Sequence, residues 1–587
     1  MSPRLARSLT HYALLGLMLV LLGAFLIYPI ALTVRGGFAA DIATGRGWTL
    51  DHLRLVFEDP ATVAGLVNAL KLALFTTILC TLIALPLAVL GAKYSFPGKT
   101  FWNAAVLVPL ILPPFVGAIG MRALLGREGA LNALLGTEFD MMGDAKFWGV
   151  VIVQALHLYP IMYLNATASL ANLDPALDEA AENLGAGAWR RFLSVTLPLI
   201  RPGLFAGGTI VFIWTFTDLG TPLMFDYHQV TAVQIFSGLK EVQNSAEPYA
   251  LTVVLLAAAV MLYLSGKLVF GGKGYAMYSK ASRSGGEARL SGFAGLAATT
   301  AFAVVSFAAV LPHIGVIGIS LAEPGSWYAS AIPAELTLSH YVEALTADEA
   351  FGSIRTSLLL SLAAMVLNML AGVVIAYIIV RTTIKGRGLL DALCMLPLAV
   401  PGLVMAFGYI SMTLGWPFDR PLNIFGLGVP AFLDGTILDL TVFGETPNPF
   451  PLLIIAYAVR RLPYIVRATV SGLEQTSGEL EEAAVNLGAS RVKAVRTVIV
   501  PLIMANIIAG GLLVFSFSML EVSDSLMIAQ KESHYPLTKM IFAFSERLGD
   551  GPYVASAMGV WGMALLAVSL FGASMLLGKK LGSIFRV

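Results

Sequence analysis

The sequence predicts an all-α polytopic membrane protein with about twelve transmembrane helices, arranged as two parallel six-helix repeats. Three observations predict it. The 587-residue chain is 57% hydrophobic and only 12% charged, against about 25% charged in soluble domains. Its apolar residues fall into runs long enough to cross a bilayer, which takes about 20 residues each. And the second half of the chain repeats the first.

The runs in the first half lie near 13–34, 64–91, 101–124, 148–170, 203–225 and 249–270. Those in the second lie near 292–320, 354–380, 389–413, 450–470, 505–528 and 554–578. Arg4 and Arg7 precede the first run as they would in a signal peptide. That run is too long for a signal core and no small-residue cleavage site follows it, so it reads as a retained span. With the N-terminus in the cytoplasm, the inside segments carry the larger share of Lys and Arg. The outside loop 322–353 has none and 415–449 has only Arg420. The positive-inside rule then puts both termini in the cytoplasm.

The repeat is visible by eye. ENLGAGAWRRFLSVTLPLI at 182–200 returns as VNLGASRVKAVRTVIVPLI at 485–503, an offset of 303 (182 to 485). It continues without a gap through Gly207-Gly208 and Gly510-Gly511, and through Leu223-Met224 and Leu526-Met527. Upstream, VPLILPP at 108–114 returns as LPLAVPG at 396–402, an offset of 288 (108 to 396). A longer external loop around 415–449 absorbs the difference. An even number of spans per half makes the halves parallel, about an axis along the membrane normal. The halves are 1–280 and 281–587. The polar, glycine-rich stretch 271–290 between them has the composition of a linker.

The best-kept part of the repeat is a cytoplasmic loop in each half, 174–202 and 477–505. A loop needs only polarity and turns, so likeness there asks for a reason. Asp174-Pro175 is a helix start, and Thr476 with Glu479 has capping-box spacing. A short acidic helix, a glycine turn at Gly185 or Gly488, and a basic helix up to Pro198 or Pro501 make an elbow. Glu179-Ala180-Ala181, Gly185, Val195 and Leu197-Pro198 resemble the EAA loop of binding-protein-dependent, ATP-binding-cassette importer permeases of type I. So do Glu482-Ala483-Ala484, Gly488, Val498 and Val500-Pro501, where Val500 replaces the usual leucine. The resemblance covers both halves. It implies the type I permease fold, coupling helices at both elbows, and docking of two copies of an ATPase subunit. It also implies a periplasmic substrate-binding protein outside and multi-pass residence in a bacterial inner membrane, in contact with its lipids.

The chain itself carries no P-loop. YSFPGKT at 94–100 has Lys93 where the first glycine belongs and no evident strand ahead of it. No His/Cys zinc pattern or GxSxG elbow appears, so the chain reads as a transport subunit and not an enzyme. No cofactor is expected in it; ATP and Mg belong on the partner ATPase. The net charge of +1 points to no nucleic acid. Cys80 and Cys394, inside apolar runs, read as packing residues.

Ionisable residues within spans are candidate functional groups. Asp218 and Thr221 in the fifth run stand 303 residues before Glu521 and Asp524 in the eleventh. They are candidates for a substrate pathway, where hard oxygen donors suit a cation, or for groups capping helix ends or pairing with nearby Lys and Arg. No metal site is assigned firmly. The tenth run holds Arg460, Arg461 and Arg467, with His157 in the place of Arg460 in the first half. They read as positive-inside charge on a shielded helix, or as a gate or an anion contact. The glycine pairs allow close helix approach. The length, the repeated elbows, RRLPY at 460–464 and GGKGY at 271–275 are most similar to the ferric-iron permease group, so ferric iron is the expected substrate. Thiamine, phosphonate or polyamine is the alternative within the class. An ion-coupled secondary transporter is the alternative outside it.

Overall fold

The computed structural model describes residues 3–41, 46–111, 113–143, 145–171, 173–270, 288–424, 426–436, 438–443 and 447–577. Most of the 271–290 join, with GGKGY at 271–275, lies outside the described residues. Helix dominates because hydrocarbon offers backbone N–H and C=O groups no partner but each other. Two short hairpins, Ala39–Asp41 with Arg46–Trp48 and Leu422–Ile424 with Leu427–Val429, occupy predicted external loops.

Among the described residues, eight unbroken helices are long and apolar enough to cross a membrane, and three bent pairs bring the number to eleven. The unbroken ones are Leu9–Phe38, Pro60–Lys93, Lys146–Ala171, Ala188–Phe216, Glu247–Gly266, Gly292–Leu321, Asp348–Arg381 and Gly551–Gly572. The bent ones are Lys99–Leu110 with Pro114–Leu135, Arg387–Ala399 with Gly402–Thr413, and Arg491–Leu502 with Met504–Met519. The remaining predicted span, the tenth, corresponds to the Phe450–Glu474 helix. It is not counted with the others because every stretch of it long enough to cross contains Arg460, Arg461 and Arg467.

Two further expectations change. The fifth and eleventh runs do not continue as helix to 225 and 528. The chain breaks after Phe216 and Met519 and resumes as Gly220–Met224 and Ser523–Ile528. And a two-residue strand does stand ahead of Lys99: Tyr94–Ser95 pairs in parallel with Ala288–Arg289. The Lys99 ammonium donates to the Tyr94 carbonyl at 2.9 Å.

The chain forms two compact units. One holds Met1–Val63, Gln234–Leu256 and Leu338–Ile584; the other holds Ala64–Val233 and Ala257–Thr337. The first span thus lies in the unit built mainly from the second half of the sequence, and the seventh span in the unit built mainly from the first. In the first unit, Leu15 and Leu22 of the first span pack with Ile378, Leu462, Val466 and Ile503. Tyr409 Oη donates to the Phe25 carbonyl at 2.9 Å, and Tyr28 Oη donates to that of Trp416. In the second unit, Phe302 of the seventh span packs with Tyr159, Met162 and Tyr163.

Equivalent glycines make both joins. A Cβ on Gly408 would lie 2.9 Å from the Pro29 backbone, and one on Gly120 would lie 2.3 Å from the Pro312 carbonyl oxygen. Gly207 and Gly510 bring their helices onto the fourth and tenth spans. Added Cβ atoms there would meet Asn165 at 3.1 Å and Ala468 at 2.8 Å. Gly208 has ordinary van der Waals room by comparison. Cys80 and Cys394 are free, buried core residues.

Candidate functional site

The first elbow is built as its residues dictate. The Asp174 carboxylate accepts from the Ala176 N–H at 3.0 Å, capping Pro175–Asn183. Gly185 turns the chain at φ +80°, where a side chain is strained. The helix then restarts at Ala188–Arg191 and passes through a π turn at Phe192–Thr196. Pro198 follows that turn and has no N–H to donate, so a local widening of the hydrogen-bond ladder there is expected. Asp178 is held by Lys93 at 3.3 Å and Arg191 at 3.8 Å, and Arg191 also pairs with Glu182.

The second elbow repeats this with different atoms. Gly488 turns at φ +93°, and a π turn at Val495–Ile499 precedes Pro501. The Thr476–Glu479 capping box does not form. Thr476 Oγ1 donates back to the Gly472 carbonyl at 2.9 Å, and Ser477 Oγ accepts from the Glu479 N–H at 3.2 Å. The tenth helix still claims Thr476, so the Glu479 N–H turns to the next hydroxyl, ahead of the Gly478 helix start. Glu481, the counterpart of Asp178, is buried, accepts from Tyr377 Oη at 2.8 Å and pairs with Arg491 at 3.5 Å.

In each elbow, then, the acid one position before the EAA glutamate ties the elbow to its own unit. Glu179 and Glu482 themselves are exposed, as are Ala180, Ala483, Gly185 and Gly488; Ala181, Ala484 and Pro198 are half-buried, and Pro501 is exposed. Beside each glycine stands a leucine that none of the described residues covers: Leu184 is 88% exposed and Leu487 is 90% exposed. Trp189 and Val492, again matched in the repeat, are exposed at the other arm. Two polar elbows thus present the same apolar tips.

The four candidate pathway residues fall two and two. Asp218 lies in the break after the fifth helix. Its carboxylate accepts from Gln154 Nε2 at 2.7 Å and from the Thr221 N–H at 3.1 Å. Thr221 is fully buried. In the equivalent break, Glu521 is 3% exposed and Asp524 is fully buried. Arg460 Nη1 reaches Glu521 at 2.6 Å and Asp524 at 3.4 Å, and Arg461 Nη2 pairs with the other Glu521 oxygen. Two cations thus face two acids, which is how a low-dielectric interior tolerates them.

Neighbours close the charged cluster. Tyr457 Oη and Ser525 Oγ share a hydrogen bond at 2.6 Å, and Thr538 Oγ1 donates to the Glu521 carbonyl at 2.5 Å. The Arg460 guanidinium lies against Gly402 at the bend of the ninth span, where any Cβ would collide with it. Next to Thr538, on the short Leu537–Glu546 helix, Lys539 donates to the Leu526 carbonyl at 2.7 Å. Burial pushes its ammonium down to about 8.

The model of the family described as binding-protein-dependent transport system inner membrane component matches residues 81–311 and again 368–581, two matches that together cover most of the chain. The chain belongs to this family. It is a multi-pass inner-membrane permease of an ATP-binding-cassette importer. A ferric transport system permease protein of Actinobacillus pleuropneumoniae is 26% identical to this permease over 580 residues, covering 95% of this chain and 77% of that one. A molybdenum transport system permease protein of Haemophilus influenzae is 32% identical over 163 residues, covering 27% of this chain and 71% of that one. The crystal structure of a bacterial ABC transporter that imports the polysaccharide alginate matches with a TM-score of 0.38 at 17% identity, over 45% of this chain and 96% of that chain.

Several residues of the permease's sites were not singled out by sequence. Leu184 and Leu487 sit inside the repeated Asn-Leu-Gly, and that repetition was the available signal. Gln154, Tyr457 and Ser525 look like ordinary residues of apolar runs. Their partners lie 64 or 68 positions away and become neighbours only in the fold.

Proposed function

We propose that this permease is the membrane pathway of a ferric-iron importer, driven through its two elbows by a pair of ATPase subunits. The observation that carries the drive is the matched pair of apolar tips, Leu184 with Trp189 and Leu487 with Val492, on elbows that Asp178 and Glu481 tie to their own units. An exposed leucine beside a left-handed glycine suits insertion into a groove on another protein. Glu179, Ala180, Ala181, Gly185 and Pro198 form one coupling surface, and Glu482, Ala483, Ala484, Gly488 and Pro501 form the other. ATP and Mg are bound by the partner.

Iron rests on the relatives. Similarity to ferric transport permeases runs over nearly the whole chain, whereas the molybdenum permease matches cover 27% to 42% of it. In this reading both termini are cytoplasmic, the halves are 1–280 and 281–587, and a loaded binding protein docks on the periplasmic loops. Asp218, Thr221, Glu521 and Asp524 border the pathway. ATP binding draws the ATPases together, the elbows follow, and the pathway alternates between outward and inward access.

The test is ATP-dependent uptake in proteoliposomes carrying the permease with its ATPase and binding protein. Fe(III), molybdate, thiamine and aminoethylphosphonate are offered in turn. Fe(III) alone is expected to accumulate. Glu179→Lys with Glu482→Lys is expected to abolish uptake and ATPase co-purification without lowering thermal stability, because both side chains are exposed. Uptake that continues without an ATPase, driven by an ion gradient, sinks the coupling reading. Uptake of molybdate in place of iron sinks the substrate.

A further inference from the structure

The second span, Pro60–Lys93, is a helix of 34 residues. At about 1.5 Å per residue it is roughly 51 Å long, against about 30 Å of hydrocarbon in a bilayer. Its elbow end is marked by Lys93, which pairs with Asp178 of the first elbow. Lys71 stands roughly 33 Å along the axis from Lys93. That is one hydrocarbon thickness, so Lys71 lies where the far side of the bilayer gives way to headgroups.

The face around it is apolar. Val67, Leu74, Phe75, Ile78 and Leu82 are exposed there. With Lys71 they fall at i, i+4, i+7, i+8, i+11 and i+15, which is one stripe of a helix. On a membrane span such a stripe faces acyl chains. Lys71 is exposed on it, and among the described residues its ammonium has no ion pair and no hydrogen bond. Long side chains on a helix lean toward its N-terminus, here the end away from the elbow. The ammonium is therefore carried toward the headgroups and not down into the hydrocarbon.

Aromatic rings mark the same level. Phe75, one turn from Lys71, meets Trp148 edge-on at 5.2 Å and Phe147 at 5.9 Å, and Phe147 meets Tyr227 at 6.5 Å. Trp148 is exposed. Tryptophan and tyrosine gather at the membrane–water boundary, where the ring is in apolar surroundings and its polar tip is wet. Asn68, on the outer side of Lys71, donates to the Gln229 carbonyl at 2.9 Å. Asp226, in the same loop as Gln229, is engaged by Lys146 and His228. All of these residues belong to one compact unit. The other unit repeats the pattern on its own 34-residue helix, Asp348–Arg381. There Arg355 is exposed between Phe351 and Leu359, again without a partner among the described residues.

We infer that Lys71, Phe75 and Trp148 form a seat for one anionic phospholipid. The lipid phosphate sits against the Lys71 ammonium, its glycerol lies at the level of the rings, and an acyl chain follows the stripe from Leu74 to Leu82. A lone lysine with no acid beside it favours a headgroup of net negative charge over a zwitterion. The orientation proposed above decides only the leaflet, which is then the periplasmic one. Neither iron nor an ATPase is needed.

The test uses the full-length permease in nanodiscs of phosphatidylcholine. Two photoactivatable probes are added at trace level, a phosphatidylglycerol and a phosphatidylcholine, each with the same diazirine at the top of one acyl chain. Labelled residues are located by peptide mass spectrometry. Labelling at 67–75 and at Trp148 is expected to be about fivefold greater with the phosphatidylglycerol probe. Lys71→Gln is expected to remove that preference, Lys71→Arg to keep it, and Arg54→Gln, on an exposed external helix, to leave it unchanged. Equal labelling by the two probes in the wild type overturns the inference, and that measurement needs no variant to fold. So does a preference that persists in Lys71→Gln. Suppression of the labelling by inorganic phosphate also overturns it, because the cation would then serve a free anion and not a lipid. The readout involves no transport, so its failure and that of the uptake test are independent.

Discussion

Residues 154–221 and 457–524 are one arrangement of helices carrying two chemistries. Gln154, His157, Leu158, Asp218 and Thr221 of the first stretch answer to Tyr457, Arg460, Arg461, Glu521 and Asp524 of the second. In both, a long helix stops at an acid and resumes after a short break. In the first, the acid is satisfied by an amide and a backbone N–H. In the second, it is satisfied by two guanidinium groups. The difference teaches that the break belongs to the architecture, while the charge belongs to one copy of it. A carboxylate suits such a break because a helix start offers N–H groups that need an acceptor.

The largest way to break this comparison is Glu521→Ala. It leaves Arg460 and Arg461 buried with Asp524 as their only acid. Removing one partner of a buried pair costs about 3–5 kcal/mol. Asp218→Ala removes hydrogen bonds without stranding an ion, and is expected to cost about 1–3 kcal/mol. Thermal unfolding in one detergent ranks the two, and equal losses would end the distinction between the clusters. Next in size is a transplant, Arg460→His with Asp524→Thr, which installs first-half residues in the second half. Residues in one ion-pair network couple by about 0.5–3 kcal/mol, so the double variant is expected to be more stable than the sum of the single losses. Strict additivity would show that Arg460 and Asp524, 3.4 Å apart, do not act on each other. The smallest effect is Asp218→Asn. The amide oxygen still accepts from the Thr221 N–H, and the loss is expected to stay within about 1 kcal/mol. A larger loss would mean that the first cluster depends on charge after all.

Legibility in the sequence followed the range of the interactions. The elbows were readable because their parts are local: a capping aspartate, a left-handed glycine and a proline, repeated at a fixed offset. The one local error there, at Thr476, came from two neighbouring hydroxyls competing for one cap. The helix breaks at Asp218 and Glu521 did leave local signs, Thr217, Asp218, Gly220 and Pro222 in one and Glu521, Ser523, Asp524 and Ser525 in the other, but the apolar residues on either side keep each stretch reading as one long run. The tenth helix was placed correctly, and its arginines read as positive-inside charge on a shielded helix or as a gate. Their acids lie 60 to 64 residues downstream, so which arginine meets which acid becomes visible only in the fold. His157 and His313, from the two sequence halves, line one small pocket with Pro109 and Pro312, a meeting that no periodicity reveals.

The first span's place in the unit of the second half has a bearing on how the protein is made. Its bond from Tyr28 to Trp416 spans 388 residues. At about 5–20 residues per second of synthesis, that helix waits in the lipid for roughly 20–80 s before its lasting neighbour leaves the ribosome. The seventh span, by contrast, emerges when the helices it joins are already inserted. One end of the chain is therefore assembled late and the middle on schedule. Carrying both halves on one polypeptide keeps the early helix tethered to the partner it must wait for.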